Sequence, residues 1–584
     1  MNASLFKTLH LTLWQTFTKK SFIIQFIVVI YLVSYCMNVI TIPPLFFLMR
    51  IGVIIGFSFL LLRPIYGLFV IIFFIAGFLA PDTLPLIPFF RLGSVHTTDA
   101  IFGGLFLFII VQKLYYRFFY RHHYPIIRTP IDIPLILFFI ACVIALINGI
   151  AIQKAYFNIA FRVFRMTSYY LLFFLITNMI KNKRDLTLFI GGVFSIALIT
   201  ALVSSIQQIS GASISLPFIG RVETLQTMGI KYTGVTRAIP GGIFLVYLSF
   251  ISLGCIVITR RLEGKTILLG ISVIILGLGL LFCFYRVTWI ASFLAFLLFI
   301  FLAPIQHKGR IIIYFLVAIC MVILIFLYSL SSSGKLNKIL YATQERITSV
   351  FKVRGLKGET ADTLRSRMKE IEYALLKIKD HPILGIGLGT YYKPIRVPLY
   401  FFLGGASETK DRKSSEETPP LDERLVRSRL LGRDKDLFST LLSVGEKNVL
   451  TKLQPQEGKK KPVRVVIPFW WWGGVNKPSD IKKMYIPILH NSFLDIILRL
   501  GLVGFVPYIW LTATCLIRGF RNWKNVQDPF LKVLCIGLTV GYVGIFINAL
   551  TDPIFLSPRG IIPISIIWGV NEVIYRVEGI EDKR

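Results

Sequence analysis

One histidine and a few arginines stand out as residues that could do chemistry in this sequence. His490 begins the apolar run "HNSFLDIILRLGLVGF", and histidine is the side chain best suited to general-base catalysis near neutral pH. Arg237 in "GVTRAIPGG" and Arg286 in "CFYRVTWIA" stand beside other apolar runs, and Arg221 precedes them. The planar guanidinium group suits phosphate. The set predicts a proton acceptor next to a clamp for a phosphorylated substrate.

Each of these residues also has a plainer interpretation. His490 could simply be a polar cap at the start of a helix, and Arg286 could extend its charge to the membrane interface. Arg237 and Arg221 could have similar roles in a loop. Arginine close to an apolar layer is costly and usually has a partner, so the catalytic interpretation depends on whether these residues share one side of a membrane.

Other catalytic motifs are absent from the sequence. We find no P-loop, no G-x-S-x-G and no H-E-x-x-H, and "DKD" at 434–436 is only a weak match to a metal-binding D-x-D. The 7 cysteines all lie in apolar runs, where they behave as small hydrophobic residues. We therefore expect no metal site and no cofactor.

The composition indicates a helical protein that crosses a membrane many times. Of the 584 residues, 55% are hydrophobic, and the mean hydropathy is +0.71. Continuous uncharged runs of about 20 residues recur, which is the length of a membrane-spanning helix. The net charge of +34 would suggest nucleic acid in a soluble protein, but lysine and arginine also accumulate on the inner side of membrane proteins. We expect membrane lipids as surroundings and no nucleic acid.

The predicted fold is an all-α polytopic membrane protein with about 14 transmembrane helices. We divide it into helices 1–11 at residues 1–330, a large extracytoplasmic loop at 331–489, and helices 12–14 with a short tail at 490–584. The predicted spans are 22–40, 44–62, 66–80, 98–115, 131–150, 165–181, 186–208, 239–259, 265–284, 287–303, 310–330, 491–517, 530–550 and 554–574.

The distribution of positive charge predicts which segments face the cytoplasm. With a cytoplasmic N-terminus, the inner segments hold far more lysine and arginine than the short outer segments. The C-terminus is then cytoplasmic too, and the long loop lies outside. The same assignment places the three arginines, His490 and Asp552 together on the outer side.

The long loop and the run after it carry recognisable helix patterns. The stretch "TADTLRSRMKEIEYALLKIKD" predicts an amphipathic helix with Ile371, Ala374, Leu375 and Ile378 on its apolar side, which "HPILGIGLG" ends. We expect the loop to fold back as a partly helical cap. After His490, Asn491, Asp495 and Arg499 share one helix face, and we expect Asp495 to pair with Arg499. Gly501 and Gly504 should let a neighbouring helix approach closely.

Four stretches resemble the O-antigen ligase/polymerase superfamily, whose members handle lipid-linked glycans. They are "RAIPGGIFLVYL", "YRVTWIASFLAFLL", "SRMKEIEYALLKIKDHPILGIGLGTY" and the run that begins at His490. The resemblance covers about residues 160–575. The chain departs from the family in having Tyr285 instead of a small hydroxyl residue, no Asn-Pro-Asn-like segment after Arg237, and an insertion at 402–480. These departures leave the choice between Arg221 and Arg237 open.

The resemblance implies an inverting transfer of a glycan from an undecaprenyl-diphosphate carrier to an acceptor hydroxyl, without metal or nucleotide. By the same resemblance, the reaction would take place on the outer face of the bacterial inner membrane. His490 would be the base, and Arg237 and Arg286, with Arg221, would hold the diphosphate.

Further roles are assigned by position. Arg367 would either contact phosphate or hold the loop helix down. Asn491 and Asp552 would bind substrate, Asp552 by orienting the acceptor or an arginine.

The acceptor is left open by the sequence. A ligase would use lipid A-core, a polysaccharide polymerase another glycan, and an O-oligosaccharyltransferase a protein. From a different class, a lipid-linked glycan flippase would show two related halves with helices interrupted at the midplane. We find no such internal repeat, and the unusual charges lie at one rim.

Overall fold

A computed structural model gives the fold of this protein. The structure describes residues 64–75, 86–88, 94–119, 127–155, 157–210, 221–227, 230–239, 242–259, 264–302, 359–390 and 489–580. The predicted spans 22–40, 44–62 and 310–330 lie outside the described residues, as does most of the large loop, including "DKD" at 434–436.

The described part of the chain is mostly helical. Thirteen α-helices follow one another there. They are α1 Pro64–Ile75, α2 Thr97–Phe119, α3 Asp132–Ile147, α4 Phe157–Ser168, α5 Leu172–Met179, α6 Lys183–Ser210, α7 Ile243–Thr259, α8 Gly264–Phe282, α9 Arg286–Leu302, α10 Glu359–Asp380, α11 Ser492–Asn522, α12 Pro529–Ala549 and α13 Pro558–Val577. A π-helical turn, Asn148–Ile152, extends α3, and a 3-10 turn, Tyr169–Leu171, joins α4 to α5.

The apolar runs of the sequence explain these helices. In the described residues, six helical segments are long and apolar enough to cross a membrane, and four shorter apolar helices accompany them. The outer surfaces of α3 and α8 carry exposed isoleucines and leucines, such as Ile133 and Leu268, as expected for side chains that meet lipid. The helical membrane-protein class is confirmed, whereas the number of about 14 spans and the cap remain predictions.

Two antiparallel hairpins, which the all-α prediction did not include, interrupt the helices. β1, Leu86–Pro88, pairs with β2, Ser94–His96. β3, Arg221–Thr227, pairs with β4, Ile230–Ile239, with an irregularity between Thr224 and Gln226. The second hairpin connects α6 to α7 and carries two of the predicted site arginines.

The core lies where α12 and α13 pack among the other helices. α12 packs against α7 and α9, and α13 packs against α5. Aromatic rings fill the centre: Trp568 stacks on Tyr170 with ring centroids 5.4 Å apart, and Tyr508 and Tyr542 are also fully buried. Close-packed aromatic rings contribute strongly to helix association, and they fix the helices that carry the site.

Ion pairs join the helix ends that the charge distribution assigns to the cytoplasm. At the end of α11, Arg518 Nε donates to Glu572 Oε1 of α13 at 2.8 Å. At the start of α6, Lys183 pairs with Asp528, which caps α12. Arg576 donates to the carbonyl of Thr177 at 2.7 Å. The opposite ends of α11 and α12 carry His490 and Asp552, so the predicted inner and outer residues lie at opposite ends of these helices.

Candidate active site

The helix that follows His490 has its own cap. Asn491 has extended backbone dihedrals, φ −144° and ψ 110°, and its side chain accepts a hydrogen bond from the Leu494 amide at 3.0 Å. This is the geometry of an N-cap. The capping role, one of the two interpretations of His490, therefore belongs to its neighbour. The predicted contact of Asn491 with substrate remains a prediction.

His490 instead lies against a carboxylate from the large loop. Its Nδ1 atom is 2.8 Å from Oε2 of Glu370, in the middle of α10. The Glu370 side chain is 10% exposed, whereas the His490 side chain is 41% exposed. A carboxylate this buried is stable only with polar partners. The pair therefore combines an anchored carboxylate with an imidazole ring that solvent can reach.

Apolar packing holds α10 against the start of α11. A cluster of buried side chains joins Ala374 of α10 to Leu489 and Leu498 around α11, with Ile386 between them. Ile378 and Leu494 pack against this cluster. The predicted amphipathic helix is thereby confirmed, although Leu375, expected on its buried side, is 51% exposed. The packing places Glu370, four residues before Ala374, on the face that meets α11.

The chain after α10 enters a break in α11. We call residues 382–390 the glycine segment. Gly501 has φ 62° and ψ −164°, so the α-helix is interrupted there. The amides of Ile386 and Gly387 donate to the carbonyls of Leu498 and Arg499 at 2.8 and 3.0 Å. These carbonyls would otherwise accept from the helix itself.

The exchange of hydrogen bonds is reciprocal. The amides of Leu502 and Val503, which follow the break, donate to the carbonyls of Pro382 and Ile383 at 2.9 and 3.2 Å. The glycine segment thus replaces the missing intrahelical bonds, as a buried backbone requires. On its other side it reaches α3, where Asn148 Nδ2 donates to the Gly385 carbonyl at 2.9 Å.

The structure corrects one prediction about the glycines of α11. A Cβ atom on Gly501 would lie 2.1 Å from the Ile383 carbonyl oxygen, so the element that approaches there is the glycine segment and not a neighbouring helix. At Gly504, a Cβ atom would meet the side chain of Leu500 of the same helix. Gly501 correctly indicated a close approach of another chain segment, but the sequence did not show which segment approaches.

An ion pair lies inside the helix just before the break. Arg499 Nε donates to Asp495 Oδ1 at 2.8 Å, and both side chains are buried. The predicted pairing at i, i+4 is confirmed. Asn491, Asp495 and Arg499 therefore support the N-terminal half of α11, the helix that His490 precedes by two residues.

A hydrogen-bonded path connects the start of α11 to the turn after α12. Ser492 Oγ donates to the Asp552 carbonyl and accepts from the Ile554 amide at 2.6 Å. The Asp552 amide donates to the Asn548 carbonyl at 3.0 Å. The backbone of Asp552 is thus held by Ser492, which follows His490 by two residues. The predicted contact of Asp552 with acceptor or arginine remains a prediction.

The same path reaches the helix that begins with Arg286. Thr288 Oγ1 donates to Asn548 Oδ1 at 2.9 Å, and both groups are buried. Arg286 is the first residue of α9 and is half-buried. Phe284, two residues earlier, has the uncommon φ of 53°, which turns the chain sharply from α8 into α9. Asn548 of α12 therefore contacts both the first turn of α9, which Arg286 begins, and the Asp552 turn that contacts Ser492.

The second hairpin brings the other two arginines close in the backbone. Its register pairs Arg237 with Glu223 and Arg221 with Ile239. Arg221 and Arg237 are thus only two register positions apart on paired strands. The sequence did not decide which of the two would hold the diphosphate. The hairpin places both near the same end of its paired strands.

Arg367 lies on α10, three residues before Glu370, and is half-buried. Residues at i, i+3 of a helix are neighbours, so Arg367 is near the His490–Glu370 pair along the helix. Its two predicted roles, contact with phosphate or attachment of α10, both remain predictions.

Four polar residues in these contacts were not predicted from the sequence: Glu370, Ser492, Thr288 and Asn548. One of these had a usable signal, because Glu370 stands at i−4 from Ala374 and thus on the buried stripe of an otherwise charged helix. An acidic residue on an apolar stripe indicates a buried partner. Among the described residues, no group of three or more metal-ligating side chains could hold a metal ion.

The long apolar helices define a multi-pass helical membrane protein. Residues 241–412 match the family model described as O-antigen ligase. This match confirms the resemblance to the O-antigen ligase/polymerase superfamily. It spans α7 to α10 and the glycine segment, including Arg286, Arg367 and Glu370, and ends before His490. No curated protein matches the chain.

Proposed function

We propose that this protein transfers a glycan from an undecaprenyl-diphosphate carrier to an acceptor hydroxyl, in the manner of an O-antigen ligase. The family match supports a membrane glycosyltransferase of the ligase/polymerase type. The observation that carries the proposal is the His490–Glu370 pair, because it joins the predicted base to the family-matched region. The reaction is placed on the outer face of the bacterial inner membrane, with both termini in the cytoplasm.

His490 acts as the general base in this proposal. The acceptor hydroxyl donates its proton to the ring nitrogen that does not face Glu370, which is Nε2. The hydroxyl oxygen then attacks the anomeric carbon of the donor sugar from the side opposite the diphosphate. The bond between that carbon and the phosphate oxygen breaks, and the electron pair leaves with undecaprenyl diphosphate. A single displacement of this kind inverts the anomeric configuration.

The arginines stabilise the leaving group. Negative charge grows on the diphosphate as the glycosidic bond breaks, and fixed guanidinium groups lower the free energy of that state. Arg286 begins α9, and the Thr288–Asn548 hydrogen bond attaches α9 to α12. The Asp552 turn follows α12 directly. In this proposal, Arg237 and Arg221 of the second hairpin and Arg367 of α10 add further positive charge for the diphosphate. The chemistry proposed for these residues requires no metal or cofactor.

Reconstitution with an undecaprenyl-diphosphate oligosaccharide tests the proposal. The purified protein in liposomes should release undecaprenyl diphosphate and form a glycosylated product. Attachment to lipid A-core would identify a ligase, a lengthened lipid-linked glycan a polymerase, and a glycosylated protein an O-oligosaccharyltransferase. Movement of the intact donor between leaflets without cleavage would identify a flippase and contradict the proposal.

A further inference from the structure

Glu370 has an unusual environment for a carboxylate. Its side chain is 10% exposed and stands on the stripe of α10 that packs against α11 through Ala374. Glu372, the next acidic residue of α10, is exposed, as most acidic residues of a surface helix are. Desolvation of a carboxylate costs free energy, so its retention at a packed interface requires a compensating partner. The His490 ring, 2.8 Å away, is such a partner.

We propose that Glu370 is the positioning residue for His490. This inference rests on the proposed function, in which His490 is the base. An ionised carboxylate can only accept hydrogen bonds, so the contact with Nδ1 requires the proton of neutral imidazole on that nitrogen. The lone pair then resides on Nε2. The contact thereby selects the tautomer that can take a proton from an acceptor, and it fixes the plane of the ring.

The position of Glu370 is itself set by elements far from α11 in sequence. α10 ends at Asp380, and the glycine segment that follows exchanges four backbone hydrogen bonds with the two sides of the break in α11. Gly385 and Gly387 have φ of 65° and 81°, and a Cβ atom on either would overlap the backbone of α11 or α3. The register of this segment cannot slip without losing those contacts, so α10 presents Glu370 at a fixed level of α11.

The arrangement has a consequence for how the site is assembled. His490 follows the long insertion at 402–480, whereas Glu370 lies 32 residues before that insertion begins. The His490 ring therefore has the correct tautomer and orientation only when α10 is packed onto α11. The base is complete only in the folded association of the loop helix with the membrane helices.

A purely structural role would give a different result. If the pair only attached α10 to α11, loss of Glu370 would lower stability and affect substrate binding and turnover together. A positioning role predicts that turnover falls while substrate affinity is kept, because the arginines proposed to hold the diphosphate (Arg221, Arg237 and Arg286) are unchanged. The tautomer of His490 gives a second readout that does not depend on activity.

The test compares Glu370→Ala and Glu370→Gln with the control Glu372→Ala in the full-length reconstituted protein. Glu370→Ala should lower kcat by about 100-fold, the scale of a lost general base, with KM unchanged. Glu370→Gln keeps a carbonyl that can accept from Nδ1 and should lose less. Glu372→Ala, at an exposed position two residues along α10, should behave as wild type.

The tautomer is read by ¹⁵N NMR of histidine-labelled protein, with His490→Gln used to identify the His490 signals. Wild type should show the proton on Nδ1, and Glu370→Ala should show it mainly on Nε2. An unchanged kcat or an unchanged tautomer in Glu370→Ala would overturn the inference. If the alanine variant does not fold, Glu370→Gln carries the test: it should keep the proton on Nδ1 together with most of kcat, and full kcat with the proton on Nε2 would overturn the inference. Full activity in His490→Ala would instead contradict the proposed function itself, so the two failures are distinguishable.

Discussion

Nδ1 of His490 lies 2.8 Å from Oε2 of Glu370, although 120 positions separate the two residues in the chain. The contact joins the start of α11 to the middle of α10. Asn491, the next residue, caps α11, so the capping function does not require the histidine. What this contact adds is a fixed imidazole beside a buried carboxylate, an arrangement that general-base catalysis uses repeatedly.

The clamp predicts that arginine substitutions at the site stop transfer. Arg286→Ala and Arg237→Ala should each abolish release of undecaprenyl diphosphate, because charge developing on the leaving group loses its stabilisation. A loss of about 100-fold or more is expected for a removed donor to a developing anion. Donor-cleavage assays in liposomes measure the effect, with expression and thermal unfolding as checks on folding. Arg559→Ala, at an exposed position at the start of α13, is the matched control and should retain activity. Equal losses in all three variants would argue against a specific clamp.

The break in α11 predicts that Gly501 tolerates no side chain. Gly501→Ala places a Cβ atom 2.1 Å from the Ile383 carbonyl oxygen at a φ of 62°. The strained backbone and the overlap together should cost on the order of 3 kcal/mol in the free energy of unfolding. Thermal unfolding in detergent measures the loss as a lower Tm.

Gly103→Ala is the control for this substitution. Gly103 lies within α2, and nothing lies within 4 Å of the position of its Cβ atom. Alanine should be neutral there or stabilise the helix by up to about 1 kcal/mol. A Gly501→Ala protein as stable as the Gly103→Ala protein would show that the glycine segment does not occupy the break.

The buried ion pair of α11 predicts an asymmetry between single and double substitutions. Asp495→Ala leaves the Arg499 guanidinium buried without its carboxylate and should cost about 3–5 kcal/mol of stability. Replacing both partners, as Asp495→Leu with Arg499→Met, removes the charge together with its partner and should cost less. The Tm values of wild type, Asp495→Ala and the double variant, measured in the same detergent, test this asymmetry. A double variant less stable than Asp495→Ala would mean that Arg499 has a stabilising role beyond this pair.

The cap of α12 predicts a dependence of stability on pH. Partial burial tends to raise the pKa of Asp528, but the ion pair with Lys183 and the hydrogen bonds from the Leu531 and Phe530 amides outweigh burial, so its pKa lies below the usual value. A lowered pKa in the folded protein stabilises it above the pKa of the unfolded state, about 4. This contribution is lost as the pH falls through the lowered pKa.

Asp528→Asn isolates the charge, because asparagine also caps helices. Wild type should have the higher Tm at pH 7, and the difference should be smaller at pH 3, because that pH lies below the unfolded-state pKa of about 4 and the contribution falls away from there toward the lowered pKa of the folded carboxyl. Asp528→Ala should be less stable than Asp528→Asn by about 1 kcal/mol, the usual value of a cap. A gap between wild type and Asp528→Asn that is the same at both pH values would contradict the assignment of the charge.

Much of the fold could be predicted from the sequence, because hydrophobic length and periodicity are local. The helices at 132–147, 183–210, 492–522 and 529–549 and the amphipathic helix 359–380 all follow from runs of residue types. The Asp495–Arg499 pair was predictable for the same reason, since i, i+4 neighbours meet in any helix. The hairpin of Arg221 and Arg237 was not predicted, as its pairing depends on register between two polar runs.

Contacts between distant segments were beyond local patterns. The sequence identified His490 and its chemistry but gave no partner for it, because Glu370 comes near only when α10 packs on α11. In the same way, Gly501 indicated close approach without showing that a segment some 115 residues earlier replaces the hydrogen bonds of the helix. Such partners are set by tertiary packing, which a single sequence does not display.

The most direct test of the central claim is the activity of His490→Ala in liposomes that contain an undecaprenyl-diphosphate oligosaccharide and an acceptor. His490→Ala should fold and bind donor as wild type does, because Asn491 retains the helix cap and the arginines are unchanged. If His490 is the base, the variant should release no undecaprenyl diphosphate above background, whereas wild type should release it in proportion to glycosylated product. Release by His490→Ala at the wild-type rate would contradict the account.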